Sequence, residues 1–340
     1  MEILVHPGLH KTGSSSIQEA LNRFSLNSPI RNRQVLVSTE IKSFRKALSG
    51  SVNEAPRWLF VSNESLFGDY VDFYEGFRSK MSEFWHDTRP HEIREVTFFF
   101  RGYESWLGSC FSQLLHSGAS RQPLDYAEEF LRPKRNLFSE LVRSAQAVFG
   151  RERVSVVFLS GKEDAVDEIS RKWSQVVGFD LNLTLPFKGN ASNRNLAALW
   201  ILAQMNQSEL GKGARYRRFI QNLKTGDTGD YSLFPESMQK RLLDRQRDDA
   251  LELQGILEGL SCQDQARKML RQADAFSPRL YWEWPGDVPG MPELFAAATA
   301  ASRLRKSRLD RLKGAVVRIL GPWTVWTWHR LVKLISRPQA

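Results

Sequence analysis

The sequence predicts an α/β fold in which a parallel β-sheet is covered by helices on both faces. Short, nearly continuous apolar runs alternate with amphipathic helical segments over residues 1–180, which is typical of parallel strands buried on both faces. Hydrophobic residues make up 41% of the 340 residues and charged residues 25%, so the chain can bury a full core. Beyond residue 180 the pattern becomes mostly helical.

Four strands are predicted from apolar runs, and three of them are followed by a predicted segment with helical spacing. The first run, EILVH, stops before Pro7 and Gly8, and a hydroxyl side chain begins the helix after them. The third run, EVTFFFR, ends in an arginine, and the helix after it stops at Gly118. The predicted strands are residues 2–6, 57–64, 95–101 and 153–160, and the predicted helices are residues 14–25, 102–118, 136–149, 165–177, 190–208, 235–259 and 264–275.

Basic charge is concentrated at the end of the chain. Residues 301–340 hold ten Lys or Arg residues and one acid, whereas residues 1–300 hold 38 basic and 37 acidic residues. A protein that binds nucleic acid through a folded face usually spreads basic charge over that face, so we expect no nucleic-acid partner. We predict an α/β core at residues 1–260, a helix and an irregular Pro/Gly/Trp-rich linker at residues 261–300, and a basic, Trp-rich amphipathic tail at residues 301–340.

The sequence argues against membrane-spanning, secreted and metal-dependent proteins. No run reaches the roughly 18 to 20 apolar residues of a membrane span, and the first residues lack the pattern of a signal peptide. Cys110 and Cys262 are too few for a disulfide framework, and the six histidines lack the spacing of metal ligands. We therefore expect a cytoplasmic protein without a metal cofactor.

The turn after the first strand has the composition of an anion-binding loop. A turn that leads from a strand into a helix presents backbone N–H groups and the positive end of the helix dipole. Gly8 and Gly13 let the backbone approach an anion closely, Lys11 adds a full positive charge, and Ser14, Ser15 and Ser16 add hydroxyl donors. The two glycines have the separation of the nucleotide-binding motif G-x-x-x-x-G-K-[ST], but Ser14 stands where that motif has its lysine.

The stretch HKTGSSSIQ resembles the 5′-phosphosulfate loop of sulfotransferases, in which a lysine and a small residue precede a glycine and several Ser or Thr residues. In that family the loop holds one end of 3′-phosphoadenosine 5′-phosphosulfate (PAPS). The resemblance assigns PAPS binding here to Lys11, Thr12, Gly13 and residues 14–16. It also implies a three-layer sheet of the P-loop nucleotide kinase-like type with a mostly helical C-terminal half.

A second match follows the third predicted strand. In FFFRGYESWLGS, Arg101 leaves the strand and Ser109 lies eight positions later. Sulfotransferases carry an arginine and a serine at this spacing to hold the 3′-phosphate of PAPS. An arginine can grip a phosphate bidentately, and the carboxyl end of a parallel strand is where open α/β sheets bind ligands.

The resemblance implies a PAPS-dependent sulfotransferase. Such an enzyme moves a sulfuryl group from PAPS to an acceptor and releases 3′-phosphoadenosine 5′-phosphate, without a divalent ion. By resemblance, Lys11 is the catalytic residue that stabilises the charge developing on the leaving phosphate. We expect the acceptor to be a hydroxyl, or an amine, of a carbohydrate, glycolipid or related small molecule.

The general base is predicted to be Glu64, in LFVSNESLF, which follows the second predicted strand and so lies at the same sheet edge as the loop. Related carbohydrate sulfotransferases use a glutamate from a comparable region, whereas the branch acting on small molecules uses a histidine. Alternatively, Glu64 caps the helix that follows it. His6, His10 and His116 are the rival bases.

The tail and the overall function each retain an alternative. Residues 303–336 combine an apolar helical face, basic residues and three tryptophans, which is typical of a helix in a membrane interface, and this would place the protein on the inner face of the membrane. Alternatively, the tail packs on the core or on a partner subunit. The alternative functions are a nucleotide-dependent kinase on the same fold and a non-enzymatic membrane-associated protein.

Overall fold

The fold is built on a five-stranded parallel sheet flanked by helices, which confirms the predicted α/β class. The computed structural model describes residues 1–10, 12–27, 35–38, 58–89, 91–160, 165–184, 199–200, 202–203, 206 and 231–281. Along the chain the first elements are β1 (Glu2–His6), α1 (Ser14–Asn27), β2 (Val35–Ser38), β3 (Trp58–Ser62), α2 (Phe77–Thr88), β4 (Glu92–Arg101) and α3 (Tyr103–His116). They are followed by α4 (Pro123–Leu131), α5 (Leu137–Phe149), β5 (Val154–Leu159), α6 (Ala165–Val177), β6 (Tyr231–Ser232), α7 (Glu236–Ile256), α8 (Gln263–Asp274) and β7 (Leu280–Tyr281).

All four predicted strands are present, and the structure adds elements that the prediction lacked. These are β2, α2, α4 and the short pair of β6 with β7. Of that pair, β7 lies in the predicted irregular linker. Of the predicted helix 190–208, the described residues 199–200, 202–203 and 206 are helical. The tail 301–340 lies outside the described residues.

The chain divides into two compact units. The first comprises residues 1–110, 127–192 and 236–278 and contains the five-stranded sheet. The second comprises residues 111–126, 193–235 and 279–340 and contains the pair of β6 with β7. Every residue of the candidate site described below belongs to the first unit, unless stated otherwise.

Successive side chains of a strand point to opposite faces of the sheet. Because both sets are apolar here, helices cover both faces. Phe99 of β4 lies in a buried cluster with residues of α1 and α6, among them Ile17, Ile169 and Trp173. The neighbouring Phe98 and Phe100 point to the other face, where Phe100 stacks on Phe138 of α5 with ring centroids 4.2 Å apart. A fully buried Phe side chain contributes about 1.5–3 kcal/mol of transfer free energy, so this run of three stabilises both layers at once.

The strand order β2-β3-β1-β4-β5 places β1 between β3 and β4. From β1 the chain first continues to β2 and β3 on one side, and then crosses to β4 and β5 on the other. The connections that follow β1 and β4 therefore run in opposite directions from the carboxyl ends of these two strands. Open α/β sheets bind their ligands at such a point.

Candidate functional site

The predicted site residues lie at the carboxyl ends of three adjacent parallel strands. The loop at residues 7–13 follows β1 in the sequence. Glu64 is the second residue after β3, and Arg101 is the last residue of β4. His6 at the end of β1 is in register with Ser62 at the end of β3, and the Asn63 N–H donates to the His6 carbonyl at 3.1 Å. The parallel sheet thus brings the three segments to one edge.

The loop after β1 requires glycine at both of its glycine positions. Gly8 has φ +46° and Gly13 has φ +89°, which is the left-handed region that favours glycine. A Cβ on Gly8 would lie 2.5 Å from Ser14 Oγ, and a Cβ on Gly13 would lie 2.6 Å from the Cβ of Ala165 on α6. The loop therefore follows its own helix and α6 too closely for any side chain at these positions.

Two of the loop's hydroxyl groups are used within the loop. Thr12 Oγ1 donates to the Leu9 carbonyl at 2.6 Å, and Ser14 Oγ donates to the same carbonyl at 3.3 Å. Ser15 is exposed and Ser16 is half-buried. In this arrangement Thr12 and Ser14 hold the shape of the loop, while an anion would meet the side chains of Ser15 and Ser16 and the backbone N–H groups of the first turn of α1.

Lys11 lies outside the described residues, but the backbone of the preceding residue, His10, is held at both its N–H and its carbonyl. The His10 N–H donates to the hydroxyl of Tyr74 at 2.8 Å, and the His10 carbonyl accepts from Trp106 Nε1 at 3.0 Å. The His10 ring packs on Tyr70 with centroids 4.6 Å apart. Because Tyr74 and Trp106 are almost fully buried, the backbone immediately before Lys11 is fixed by rigid aromatic side chains.

Tyr74 also contacts the ring of His10. Burial raises the pKa of the Tyr74 phenol well above its usual range, with a further contribution from the charge of Glu64, so the phenol keeps its proton. The phenol oxygen already accepts the His10 N–H and lies 2.9 Å from His10 Nδ1. Either tautomer of His10 can use this contact: Nδ1 accepts the phenol proton when the ring proton is on Nε2, and it donates to the phenol oxygen when the ring proton is on Nδ1.

The backbone that presents Tyr74 is strained. Phe73 and Tyr74 have φ of 50° and 64°, and each non-glycine residue in such a conformation costs about 1–3 kcal/mol. The Tyr74 N–H donates to the Asp69 carbonyl at 2.7 Å, and a Cβ on Gly68 would lie 2.7 Å from Tyr74 Cδ1. Sequence reasoning missed Tyr74, and its only signal was the aromatic-rich stretch YVDFYEGF at residues 70–77.

The second predicted phosphate contact lies on β4 and α3. Arg101 is half-buried and pairs with Leu159 of β5. Ser109 Oγ donates to the carbonyl of Ser105 at 2.9 Å; Ser105 is exposed and Ser109 is half-buried, whereas the neighbouring Trp106 and Cys110 are buried. The structure thus places Arg101 at the expected strand end and Ser109 at a half-buried position of the next helix.

Glu64 caps no helix, so the alternative explanation for it is wrong. Residues 64–76 form turns, and the next helix, α2, begins at Phe77. Glu64 is half-buried, and its negative charge raises the pKa of Tyr74, although burial is the larger cause. Its carboxylate is therefore close enough to interact with the phenol that holds His10.

His6 is unsuited to act as a base near neutral pH. It is fully buried, its Nδ1 lies 2.9 Å from Ser62 Oγ, and its Nε2 has no hydrogen-bond partner among the described residues. Burial lowers the pKa of His6 to about 3, so its ring is neutral and binds a proton weakly. Another rival base, His116, is the last residue of α3 and belongs to the second unit.

The low pKa of His6 predicts that the protein loses stability in mild acid. The unfolded chain takes up a proton at His6 below about pH 6.5 and the native protein does not, so the free energy of unfolding should fall by about 1.4 kcal/mol per pH unit between pH 6.5 and 3. Urea unfolding at pH 7.5, 6 and 5 measures this slope. His6→Asn should reduce the slope by that amount, while His86→Gln, at an exposed position of α2, should leave it unchanged. Equal slopes for wild type and His6→Asn would contradict the assignment.

Comparison with known proteins gives no relative: no family model, curated protein or solved structure matches the chain. The described residues contain no group of His, Cys, Asp and Glu side chains that could hold a metal ion. No helix within the described ranges is both long and apolar enough to cross a membrane. The site is therefore interpreted from its own residues.

Proposed function

We propose that the protein is a sulfotransferase that uses PAPS as its donor. The observation that carries this proposal is the position of the loop after β1 and of Arg101 at the end of β4, on adjacent strands, where the chain changes direction across the sheet. A site with backbone N–H groups in the loop after one strand and a guanidinium at the end of the next strand suits a nucleotide that carries phosphate on both the 3′ and the 5′ oxygen of its ribose. The strand order with β1 central also supports a P-loop nucleotide kinase-like fold.

The proposed reaction is an in-line transfer of the sulfuryl group. The acceptor oxygen attacks the sulfur, the bond from sulfur to the bridging oxygen of the 5′-phosphate breaks, and that oxygen leaves with the electron pair as part of 3′-phosphoadenosine 5′-phosphate. Glu64 takes the acceptor's proton, and the Lys11 ammonium stabilises the charge on the leaving oxygen. The role of Lys11 rests on its place in the sequence.

The loop and the fixed backbone of His10 would be preorganised for this reaction. Donors that are already oriented need not reorganise when charge develops in the transition state. Tyr74 and Trp106 hold the backbone N–H and carbonyl of His10 before any ligand arrives, because these hydrogen bonds are internal to the protein. The acceptor is proposed to be a hydroxyl or amine of a carbohydrate or glycolipid, with the basic tail at a membrane surface.

The proposal is tested by the binding of donor nucleotides to wild type and to Arg101→Ala. We expect PAPS and adenosine 3′,5′-bisphosphate to stabilise the full chain against heat and ATP with Mg²⁺ to do so weakly. Arg101→Ala should weaken binding of the bisphosphate by about 30- to 100-fold, because a charge-assisted phosphate contact is lost. Arg94→Ala is the matched control, since Arg94 is an exposed residue at the opposite end of β4 that pairs with Glu2 and Glu92.

The results separate the proposal from its alternatives. Transfer of label from sulfur-labelled PAPS to a component of a cell extract would identify the acceptor class and support the proposal. Stabilisation by ATP with Mg²⁺ but not by PAPS would replace the sulfotransferase with a kinase. Binding of neither nucleotide would leave a protein that is not an enzyme of this class.

A further inference from the structure

The turn that carries Arg101 is held by a helix far along the chain. β4 ends at Arg101 and α3 begins at Tyr103, so Gly102 alone separates the strand from the helix. The Tyr103 N–H donates to Oε1 of Gln246 on α7 at 3.0 Å, across 143 positions of sequence. The first amides of a helix have no acceptor within the helix, so Gln246 supplies a cap for α3 from another element.

The Gln246 side chain has one orientation. It is 2% exposed, and its Nε2 donates to the Met269 carbonyl at 3.2 Å and to Oε1 of Gln272 at 3.1 Å, both on α8. Its two N–H donors face acceptors and its oxygen faces the Tyr103 N–H, so exchanging oxygen and nitrogen would break all three hydrogen bonds. Gln246 is therefore a fixed link between α8 and the turn.

Gly102 shows how closely the two glutamines approach the turn. A Cβ at this position would lie 2.9 Å from Gln246 Oε1 and 2.7 Å from Gln272 Oε1, which is closer than side chains tolerate. The backbone therefore rests against both amide oxygens. These contacts lie at the residue immediately after Arg101, the last residue of β4.

The same helix also holds the side chain of Tyr103. Three positions after Gln246, Asp249 accepts a hydrogen bond from the Tyr103 hydroxyl. Asp249 is fully buried and also accepts the N–H groups of Phe138 and Ser139 at the start of α5. Both the backbone and the side chain of the first residue of α3 are thus bound to α7.

We propose that Gln246 is a positioning residue that directs Arg101, and through it the preference of the site for a nucleotide with a 3′-phosphate. This inference rests on the proposed function. A small displacement of the turn would move the Arg101 guanidinium out of line with a phosphate, and misplacements of about 1 Å can cost about 10²-fold in a positioned interaction. The 5′ end of the nucleotide is bound by a different element, the loop after β1, so its binding should change little.

The test compares two nucleotides that differ only in the 3′-phosphate. Calorimetric titration of the full chain with adenosine 3′,5′-bisphosphate and with AMP gives the ratio of their affinities. We expect wild type to prefer the bisphosphate, and Gln246→Ala to reduce that preference by about tenfold with AMP affinity nearly unchanged. Gln272→Ala, at a half-buried position, should reduce the preference less, and it decides the question if Gln246→Ala does not fold.

The matched control is Gln265→Ala. Gln265 on α8 also accepts a backbone N–H from another element, that of Phe158 on β5 at 2.9 Å, but it serves a strand rather than the turn. The Gln265→Ala substitution should lower the melting temperature and leave the preference for adenosine 3′,5′-bisphosphate over AMP unchanged. An unchanged preference in both turn variants, or an equal loss in Gln265→Ala, would overturn the inference. A wild type that does not distinguish the two nucleotides would overturn the proposed function itself.

Discussion

Replacing Lys11 with alanine is expected to reduce the rate of sulfuryl transfer by about 10²- to 10³-fold, the usual cost of removing one donor that stabilises charge in the transition state. The ammonium should interact most strongly with the bridging oxygen once its bond to sulfur has lengthened. The affinity for adenosine 3′,5′-bisphosphate should therefore fall much less than the rate. Single-turnover transfer from sulfur-labelled PAPS and titration with the bisphosphate measure the two effects separately.

Two further variants make the Lys11 result interpretable. Lys11→Arg keeps the positive charge on a larger, planar group, so it should recover only part of the rate. Lys240→Ala removes an exposed lysine that pairs with Glu236 on α7, and it should leave both the rate and the affinity unchanged. Transfer by Lys11→Ala at the wild-type rate would remove the proposed role, whatever the protein binds.

The largest expected effect on stability is that of Asp249→Ala, at about 3–5 kcal/mol, because each buried donor that loses its acceptor costs about 1–3 kcal/mol. Asp249 receives four hydrogen bonds, from the hydroxyls of Tyr103 and Ser139 and from the N–H groups of Phe138 and Ser139. Burial raises the pKa of its carboxyl, and these hydrogen bonds partly oppose the rise. Alanine would remove the acceptor of the Tyr103 hydroxyl and of the N–H groups of Phe138 and Ser139, and with it the cap of α5, while the Ser139 hydroxyl would keep the backbone carbonyl of residue 249 at 3.0 Å. Each donor left without an acceptor would bear its desolvation cost.

Urea unfolding at neutral pH measures this loss. Asp248→Ala is the matched control, because Asp248 is the preceding residue of α7 and is exposed, and it should change the free energy of unfolding by less than about 0.5 kcal/mol. If Asp249→Ala yields no folded protein, Ser139→Ala should still cost about 1–2 kcal/mol by removing one of the four donors. A loss below 1 kcal/mol for Asp249→Ala would show that the carboxylate is not the centre of this network.

Local pattern was enough to predict four of the five strands of the main sheet. The apolar runs at β1, β3, β4 and β5 mark strands because a parallel strand buries both of its faces, and this requires only neighbouring residues. The two glycines of the loop and the arginine that ends EVTFFFR are visible for the same reason. β2 escaped the prediction because its four residues are too short to carry a period, whereas α2 had a helical pattern that was overlooked: its buried residues Phe77, Met81, Phe84 and Thr88 recur at helical spacing.

The sequence by itself determined the α/β class, the order of the main elements and the chemical character of the loop and of Arg101, because each depends on residues close together in the chain. Tertiary structure decided which groups surround them. Tyr74 reaches His10 across 64 positions and Gln246 reaches Tyr103 across 143, and nothing in the local sequence of either partner indicates the other. The neutral state of His6 likewise follows from burial, which depends on how the whole sheet is covered. Hydrogen bonds and desolvation act through space, so their partners are determined only when the chain has folded.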